Sequence, residues 1–234
     1  NMKFSFRPHW LLLCVLSFLL IACGNDEPEQ RAAFTQFLQT RIINKPGLHI
    51  PKLTPEESKS FGEYADHYAV ITDFNSALDS SMKSIDTLLQ KGAIRSLNDL
   101  ISRRDDIQAA QQNISEMSEQ VKQIQAKADS AHQQLKQPED LKAVYDKAYD
   151  RTVSIPANTL IEILPQISNA LNSSLKVADY ISAHKAQIEI SGSMARVQDP
   201  KVQAELNEHL QDLNSHGKTM MQAYARIQTL ITGR

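Results

Sequence analysis

The stretch LISRRDDIQAAQQNISEMSEQVKQIQAKADSAHQQL, residues 100–135, carries the longest regular pattern of the chain. Its main apolar row recurs every seven residues and consists of Leu100, Ile107, Ile114, Val121, Ala128 and Leu135. A second row consists of Ala110, Met117, Ile124 and Ala131. Polar residues fill most other positions, which indicates a long amphipathic helix with a narrow, coiled-coil-like seam. Such a seam needs a long partner helix.

The preceding segment predicts that partner. Thr54, Pro55 and Glu57 form a helix start signal: a threonine cap, a proline at the first helical position and a glutamate three residues after the cap. Apolar residues then recur at steps of three and four from Phe61 to Leu89, before Lys91-Gly92 ends the helix. We expect this helix to fold back antiparallel to residues 96–135.

Further helices are predicted on both sides of this hairpin. Apolar residues at helical spacing predict one helix from Pro28 to Ile42 and others after Pro138, from 160 to 181 with a kink at Pro165, and after Pro200. Ile155-Pro156 predicts a break. The fold class is therefore all-α, an elongated antiparallel bundle of five or six helices.

In one segment the spacing of the apolar residues changes from the helical pattern to strict alternation. Residues 187–191 alternate apolar and polar side chains, Gly192-Ser193 can turn, and Met194 to Val197 offers a second extended run. This pattern predicts one small β-hairpin, which must pack on the helices because an isolated hairpin is marginal in water.

The first residues are typical of a lipoprotein signal peptide, predicted over residues 1–22. Lys3 and Arg7 precede an apolar run that is too short to span a bilayer. The run ends at Leu20-Ile21-Ala22-Cys23, which resembles the bacterial lipobox. Cleavage after Ala22 would leave Cys23 to carry a diacylglycerol and an N-acyl chain, because a thiolate can accept the lipid.

The mature chain is predicted to comprise a lipidated tether, residues 23–27, and a single helical domain, residues 28–234. Gly24 in place of aspartate resembles lipoproteins of the outer membrane, and facing the periplasm is the expected orientation. The mature chain carries a net charge of about −4 and has no block of basic residues. This charge argues against nucleic acid as a partner and leaves the lipid as the membrane attachment.

Several short motifs resemble the YiaF family of enterobacterial lipoproteins, a domain of unknown function. They are Gln30 to Gln39 after the lipobox, Leu53-Thr54 to Phe61-Gly62, Tyr68-Ala69, Ala131-His132 to Gln137, Asp140 to Lys142, Pro156-Ala157 and Asp179 to Ile181. The resemblance spans the mature chain. It implies an envelope lipoprotein and supplies no activity.

Two patterns would permit chemistry. Ser80 and Lys83, like Ser173 and Lys176, have the Ser-x-x-Lys spacing of some serine nucleophiles, but no accompanying motif is present. A second pattern lies on one face of the last helix and consists of Glu205, His209, Asp212 and His216. This face can be interpreted as a divalent metal site or, more simply, as a solvated surface.

The leading interpretation is a non-enzymatic, lipid-anchored envelope protein that binds an envelope partner and has no cofactor besides the lipid on Cys23. The alternative is a metal-dependent or hydrolytic periplasmic enzyme that uses a site such as the face from Glu205 to His216.

Overall fold

A computed structural model of the chain describes residues 26–234, and for residues 84–89 it describes the backbone alone. Within residues 26–234 the chain forms nine α-helices, two π-helical segments and one two-stranded sheet. The bounds, in chain order, are α1 Asp26–Leu38, π1 Gln39–Ile43, α2 Pro55–Phe61, α3 Tyr64–Leu89, α4 Leu97–Ser102, α5 Arg104–Gln134, α6 Glu139–Tyr149, π2 Asp150–Ser154, α7 Ile155–Ala183, β1 Ile188–Ser191, β2 Met194–Val197, α8 Pro200–Ser215 and α9 Gly217–Thr232.

The predicted all-α fold class is confirmed, and α5 lies at its centre. The helix α3 runs antiparallel to α5, since His67 near the start of α3 meets Gln137 after the end of α5 at 3.0 Å. On its other side α5 packs along α7, with Gln125 hydrogen-bonded to Asn158 at 2.9 Å and Arg104 paired with Asp179 at 2.8 Å. These two pairs show that α7 is also antiparallel to α5.

The seam of α5 is buried between these two neighbours. Ile107, Ile114, Met117, Val121 and Ala128 are all buried, and Val121 is fully inaccessible. The predicted hairpin with the preceding helix is therefore correct. The second partner, α7, was not predicted, although it contacts α5 over a longer interface than α3 does.

The predicted break at Ile155-Pro156 is wrong. The chain stays helical from Glu139 through π2 to Ala183, a length of about 65 Å at the α-helical rise. A proline ring clashes with the carbonyl four residues earlier, but the wider π-helical turn directly before Pro156 accommodates it. Within that turn the Thr152 hydroxyl donates to the Ala148 carbonyl at 2.7 Å.

Three predicted helices are each divided in the structure, so the helices outnumber the five or six expected; the last of them divides at His216, between α8 and α9. The first divides at Gly62, where α2 ends with its predicted threonine capping box in place. The second divides at Arg103, which separates α4 from α5. The chain is already helical at Asp26, the first described residue, whereas the prediction started the helix at Pro28.

An aromatic cluster fixes α1 against the bundle. The ring of Phe34 lies 5.3 Å from Phe61 and 6.3 Å from Tyr145, and the ring of Phe37 lies 5.2 Å from Tyr68. Because these rings come from α1, α2, α3 and α6, the cluster joins four helices at the end of the bundle where α6 begins.

The predicted β-hairpin is confirmed at the opposite end. Its strands pair antiparallel with Ile188 opposite Val197 and Ser191 opposite Met194. Ile188 is buried against the ends of α7 and α8, so the hairpin packs on the helices as expected. From there α8 and α9 run back along α7.

The packing of α5 predicts the effect of a cavity at its centre. Replacement of Met117, which is 1% exposed, by alanine should lower the free energy of unfolding by about 2 to 5 kcal/mol. Urea denaturation followed by circular dichroism measures the change. The exposed Gln120, three residues away, is the matched control, and Gln120→Ala should change stability by less than about 0.5 kcal/mol. Similar losses in both variants would contradict the described burial.

Candidate functional site

The predicted signal peptide 1–22, its cleavage residue Ala22 and the lipidation residue Cys23 lie outside the described residues. The description starts at Asp26, so three residue steps, at most about 10 Å of extended chain, separate it from Cys23. None of the helices within residues 26–234 combines the length and hydropathy needed to span a bilayer.

The start of α1 is held by polar contacts as well as by its aromatic face. The Tyr64 hydroxyl donates to Glu27 at 2.5 Å, and Arg31 pairs with Glu27 at 3.3 Å and with Asp140 at 3.2 Å. Burial, and then the hydrogen bond to Glu27, raise the pKa of Tyr64 to about 12, so the hydroxyl keeps its proton at neutral pH. These contacts fix the helix that follows Cys23 to α3 and α6.

One edge of the face formed by Glu205, His209, Asp212 and His216 contacts α7. Because Asp212 is exposed and the other three residues are half-buried, the interpretation as a solvated surface holds only in part. The Tyr180 hydroxyl donates to Glu205 at 2.7 Å, and the His209 ring lies 5.1 Å from the Tyr180 ring. Burial, and then the bond to Glu205, raise the pKa of Tyr180 to about 12. Sequence periodicity marks apolar contacts and therefore did not indicate this polar one.

Ser173 on α7 joins the other two members of this face. Its hydroxyl lies 2.6 Å from Asp212 Oδ2 and 3.0 Å from His216 Nε2. An ionised carboxylate only accepts, so Ser173 donates to Asp212 and accepts from the His216 N–H. In a catalytic triad the carboxylate orients the histidine, and the histidine accepts the serine proton. Here the serine donates to the carboxylate and accepts from the histidine, which is not the arrangement of a triad, and Ser173 is only 5% exposed. These residues therefore form hydrogen bonds that hold α7 and α8 together.

Neither Ser-x-x-Lys spacing forms a recognisable site. Ser173 bonds to Asp212 and His216, while Lys176 is exposed on α7. Ser80 and Lys83 are both exposed on α3. Among the side chains that the structure describes, no three from histidine, cysteine or acidic residues come together in a group that could hold a metal ion.

A second polar cluster lies where α5 meets α6. The His132 ring stacks on Tyr149 at 4.0 Å and its Nε2 lies 2.8 Å from Asp146, while the Tyr149 hydroxyl donates to Asp129 at 2.7 Å. Burial raises the pKa of Asp146, but bonds from Lys142 and His132 outweigh it and hold that pKa below its ordinary value. The polar groups of this cluster satisfy one another, so it acts as a structural tie.

The two π-helical segments meet at a junction that the sequence did not indicate. Arg151 of π2 donates one hydrogen bond to the Ile43 carbonyl at the end of π1 and one to the Lys45 carbonyl. Short π-helical segments are rare and frequently occur at functional sites. Beside this junction, Arg151, Ile155 and Thr159 line one wall of a groove, and α9 forms the other wall. We call it the junction groove.

Close backbone contact fixes the end of α9 at the junction groove. Gly47 has a φ of +77°, and a Cβ atom at this position would overlap the Ile231 carbonyl oxygen. The Leu48 N–H donates to the same oxygen at 3.2 Å. Gly233 caps α9 and touches Pro46 and Gly47. Glycines at positions 47 and 233 thus allow the C-terminal helix to dock.

The helix α9 is apolar on a wider face than the bundle covers. At 3.6 residues per turn its apolar side chains span about half of its circumference. They are Met220, Met221, Ala223, Tyr224, Ile227, Leu230 and Ile231. Only Ala223 is buried, and Met221 and Tyr224 are 75% and 67% exposed. The apolar spacing predicted a helix here, but such spacing does not show which part of an apolar face finds a partner.

Comparison with known proteins shows that the chain belongs to the family described as "Protein of unknown function (DUF3053)", whose model matches residues 10–228. The chain is 28% identical over 228 residues to proteins named "Uncharacterized protein YiaF" from Escherichia coli strain K12, Escherichia coli O157:H7 and Shigella flexneri. The matched region covers 96% of this chain and 94% of each relative. The predicted resemblance to the YiaF family is confirmed. No solved structure matches the chain.

The close contact at Gly47 can be tested against a second glycine. Gly47→Ala should destabilise the protein and accelerate amide hydrogen exchange at Leu48, because the new Cβ displaces the end of α9. Gly192 in the hairpin turn has a φ of +64° but open space around it, so Gly192→Ala should lose only the cost of left-handed backbone, about 1 to 2 kcal/mol. Equal losses, with unchanged exchange at Leu48, would rule out the clash.

Proposed function

We propose that this member of the family is a bacterial envelope lipoprotein that is cleaved after Ala22 and anchored in the outer membrane by acyl chains on Cys23. Its helical body faces the periplasm and acts as a non-enzymatic binding or scaffold protein. The diacylglycerol and N-acyl chain are the only non-protein groups that this function requires.

The observation that supports the anchored arrangement is the position and burial of α1. This helix starts at Asp26, three residue steps after Cys23, and buries Phe34, Phe37 and Leu38 in the bundle. A chain this short between a lipid and a packed helix leaves little independent motion of the body. An acylated Cys23 would therefore hold the start of α1 close to the bilayer.

The binding role rests on surfaces that the bundle leaves open. Exposed apolar side chains that share one helix face are typical of interaction sites in soluble domains. The helix α9 has such a face, and the junction groove lies beside it. The satisfied polar clusters at Ser173 and His132 stabilise helix contacts and leave these open surfaces as the candidates for recognition.

Anchoring can be tested with the two cysteines of the chain. Cys23→Ala should abolish labelling by an alkynyl palmitate analogue and release the mature body from the membrane fraction. Cys14→Ala is the matched control, because Cys14 lies in the predicted signal peptide and should leave labelling intact. A Cys23→Ala protein that is still labelled would exclude Cys23 as the acylated residue.

The membrane that holds the protein depends on the residue after the lipidated cysteine. Gly24→Asp should move the lipoprotein from outer-membrane to inner-membrane fractions in a sucrose gradient, while acylation stays unchanged. Gly24→Ser is the control and should leave the distribution as it is. If wild type and Gly24→Asp both sediment with the inner membrane, the proposed location is wrong.

A further inference from the structure

The junction groove has the size and lining of a site for a small apolar molecule. Its volume is about 470 Å³, within the usual range of about 300 to 1,000 Å³ for ligand sites. Along the α7 wall it runs from Arg151 to Thr159, about 12 Å at the helical rise. The α9 wall contributes Ala225 and Leu230.

Of the two arginines at the groove, one is paired with a carboxylate and, within the part of the chain that the structure describes, the other is not. Arg226 of α9 forms an ion pair with Glu162 at 2.9 Å, so these two charges offset each other. Arg151 donates to two backbone carbonyls and, among the described residues, forms no ion pair. Two of its five N–H groups are used in this way, which leaves three for a ligand. A half-buried guanidinium without a carboxylate favours the approach of an anion.

The apolar floor starts one helical turn from this cation. Ile155, four residues after Arg151, therefore lies on the same side of the helix, and its side chain is 49% exposed although it faces the groove. An apolar side chain left half in water beside Leu230 and Ala225 would gain from contact with hydrocarbon. The site thus combines a cation at one end with an apolar trough that leads away from it.

We propose that the junction groove binds one molecule of an anionic amphiphile, with the acidic head group at Arg151 and the hydrocarbon chain along Ile155, Ala225 and Leu230. This inference deepens the proposed binding role by naming the ligand class, and it rests on that role but not on the anchor at Cys23. The length and charge of the groove match a single-chain acid such as a fatty acid.

Charge argues against a second copy of the chain as the occupant. From Gly217 to Arg234 the charged side chains are Lys218, Arg226 and Arg234, all positive. Arg226 is paired with Glu162, but two copies of α9 placed face to face would still bring the Lys218 and Arg234 charges of both copies together, which is unfavourable. The same positive charge favours an anionic ligand.

The probe is sodium laurate, titrated by calorimetry below its micelle concentration into chain 24–234 produced without the signal peptide and the acylated cysteine. This chain contains every residue of the two described core clusters. We expect saturable binding with one site. Dodecyltrimethylammonium, which has a chain of the same length and a cationic head, should bind at least about tenfold more weakly.

Two groove variants and one control assign the site. Ile155→Asp and Arg151→Gln should each weaken laurate binding about tenfold or more. Met221→Asp places the same new charge on an exposed apolar position of α9 outside the groove and should leave binding unchanged. Arg151→Gln also removes the bonds to Ile43 and Lys45 and could unfold the protein for that reason. If Arg151→Gln unfolds, the result for Ile155→Asp, at a half-exposed position, decides the test.

Vesicles of phosphatidylcholine with phosphatidylglycerol distinguish a single amphiphile from a bilayer surface. We expect Ile155→Asp to weaken laurate binding and to leave sedimentation of the protein with the vesicles unchanged. It is overturned if laurate does not saturate, if the cationic probe binds equally, or if Met221→Asp and not Ile155→Asp abolishes binding. Those outcomes leave the anchoring proposal intact, because chain 24–234 lacks Cys23.

Discussion

The burial of the α5 seam between α3 and α7 is the interaction on which the rest of the structure depends. A single row of apolar residues spaced by seven would cover one partner, but α5 buries side chains from both of its apolar rows. Met117 and Val121 are nearly inaccessible because helices lie on both sides. The contact with α5 fixes the position of the continuous helix from α6 to α7. The helix α1, the hairpin and the C-terminal helices all pack on the frame formed by α3, α5 and this continuous helix.

The π-helical segment π2 allows the helix from α6 to α7 to be continuous. A helix of about 65 Å that contains Pro156 near its middle would normally kink or end there. The π-helical turn before Pro156 absorbs the proline, and it also turns Arg151 toward the carbonyls at the end of π1. The same irregularity therefore solves a packing problem and creates the half-buried cation of the junction groove.

The sequence predicted the elements that apolar periodicity describes. The α5 seam, its antiparallel partner α3, the threonine cap of α2 and the hairpin from Ile188 to Val197 were all found as expected. The errors arose where polar contacts or local backbone geometry determine the structure. The contacts of Glu205, Asp212 and His216 with α7 were missed, because hydrogen bonds to Tyr180 and Ser173 have no periodic signature. The continuous helix at Pro156 was missed because nothing in the local pattern announces a π-helical turn.

The register of α1 against α6 connects the anchor with the junction groove. Arg31 pairs with Asp140, and twelve residues farther along α1 and π1 the Ile43 carbonyl accepts from Arg151. The two helices therefore run parallel, and the groove lies about one length of α1 and π1, roughly 25 Å, from Asp26. Under the proposed anchoring at Cys23, an upright long helix would place the groove above the head groups by this offset. A groove at that height would meet an amphiphile that has left the membrane, which is why a single molecule fits the proposed site better than a bilayer surface does.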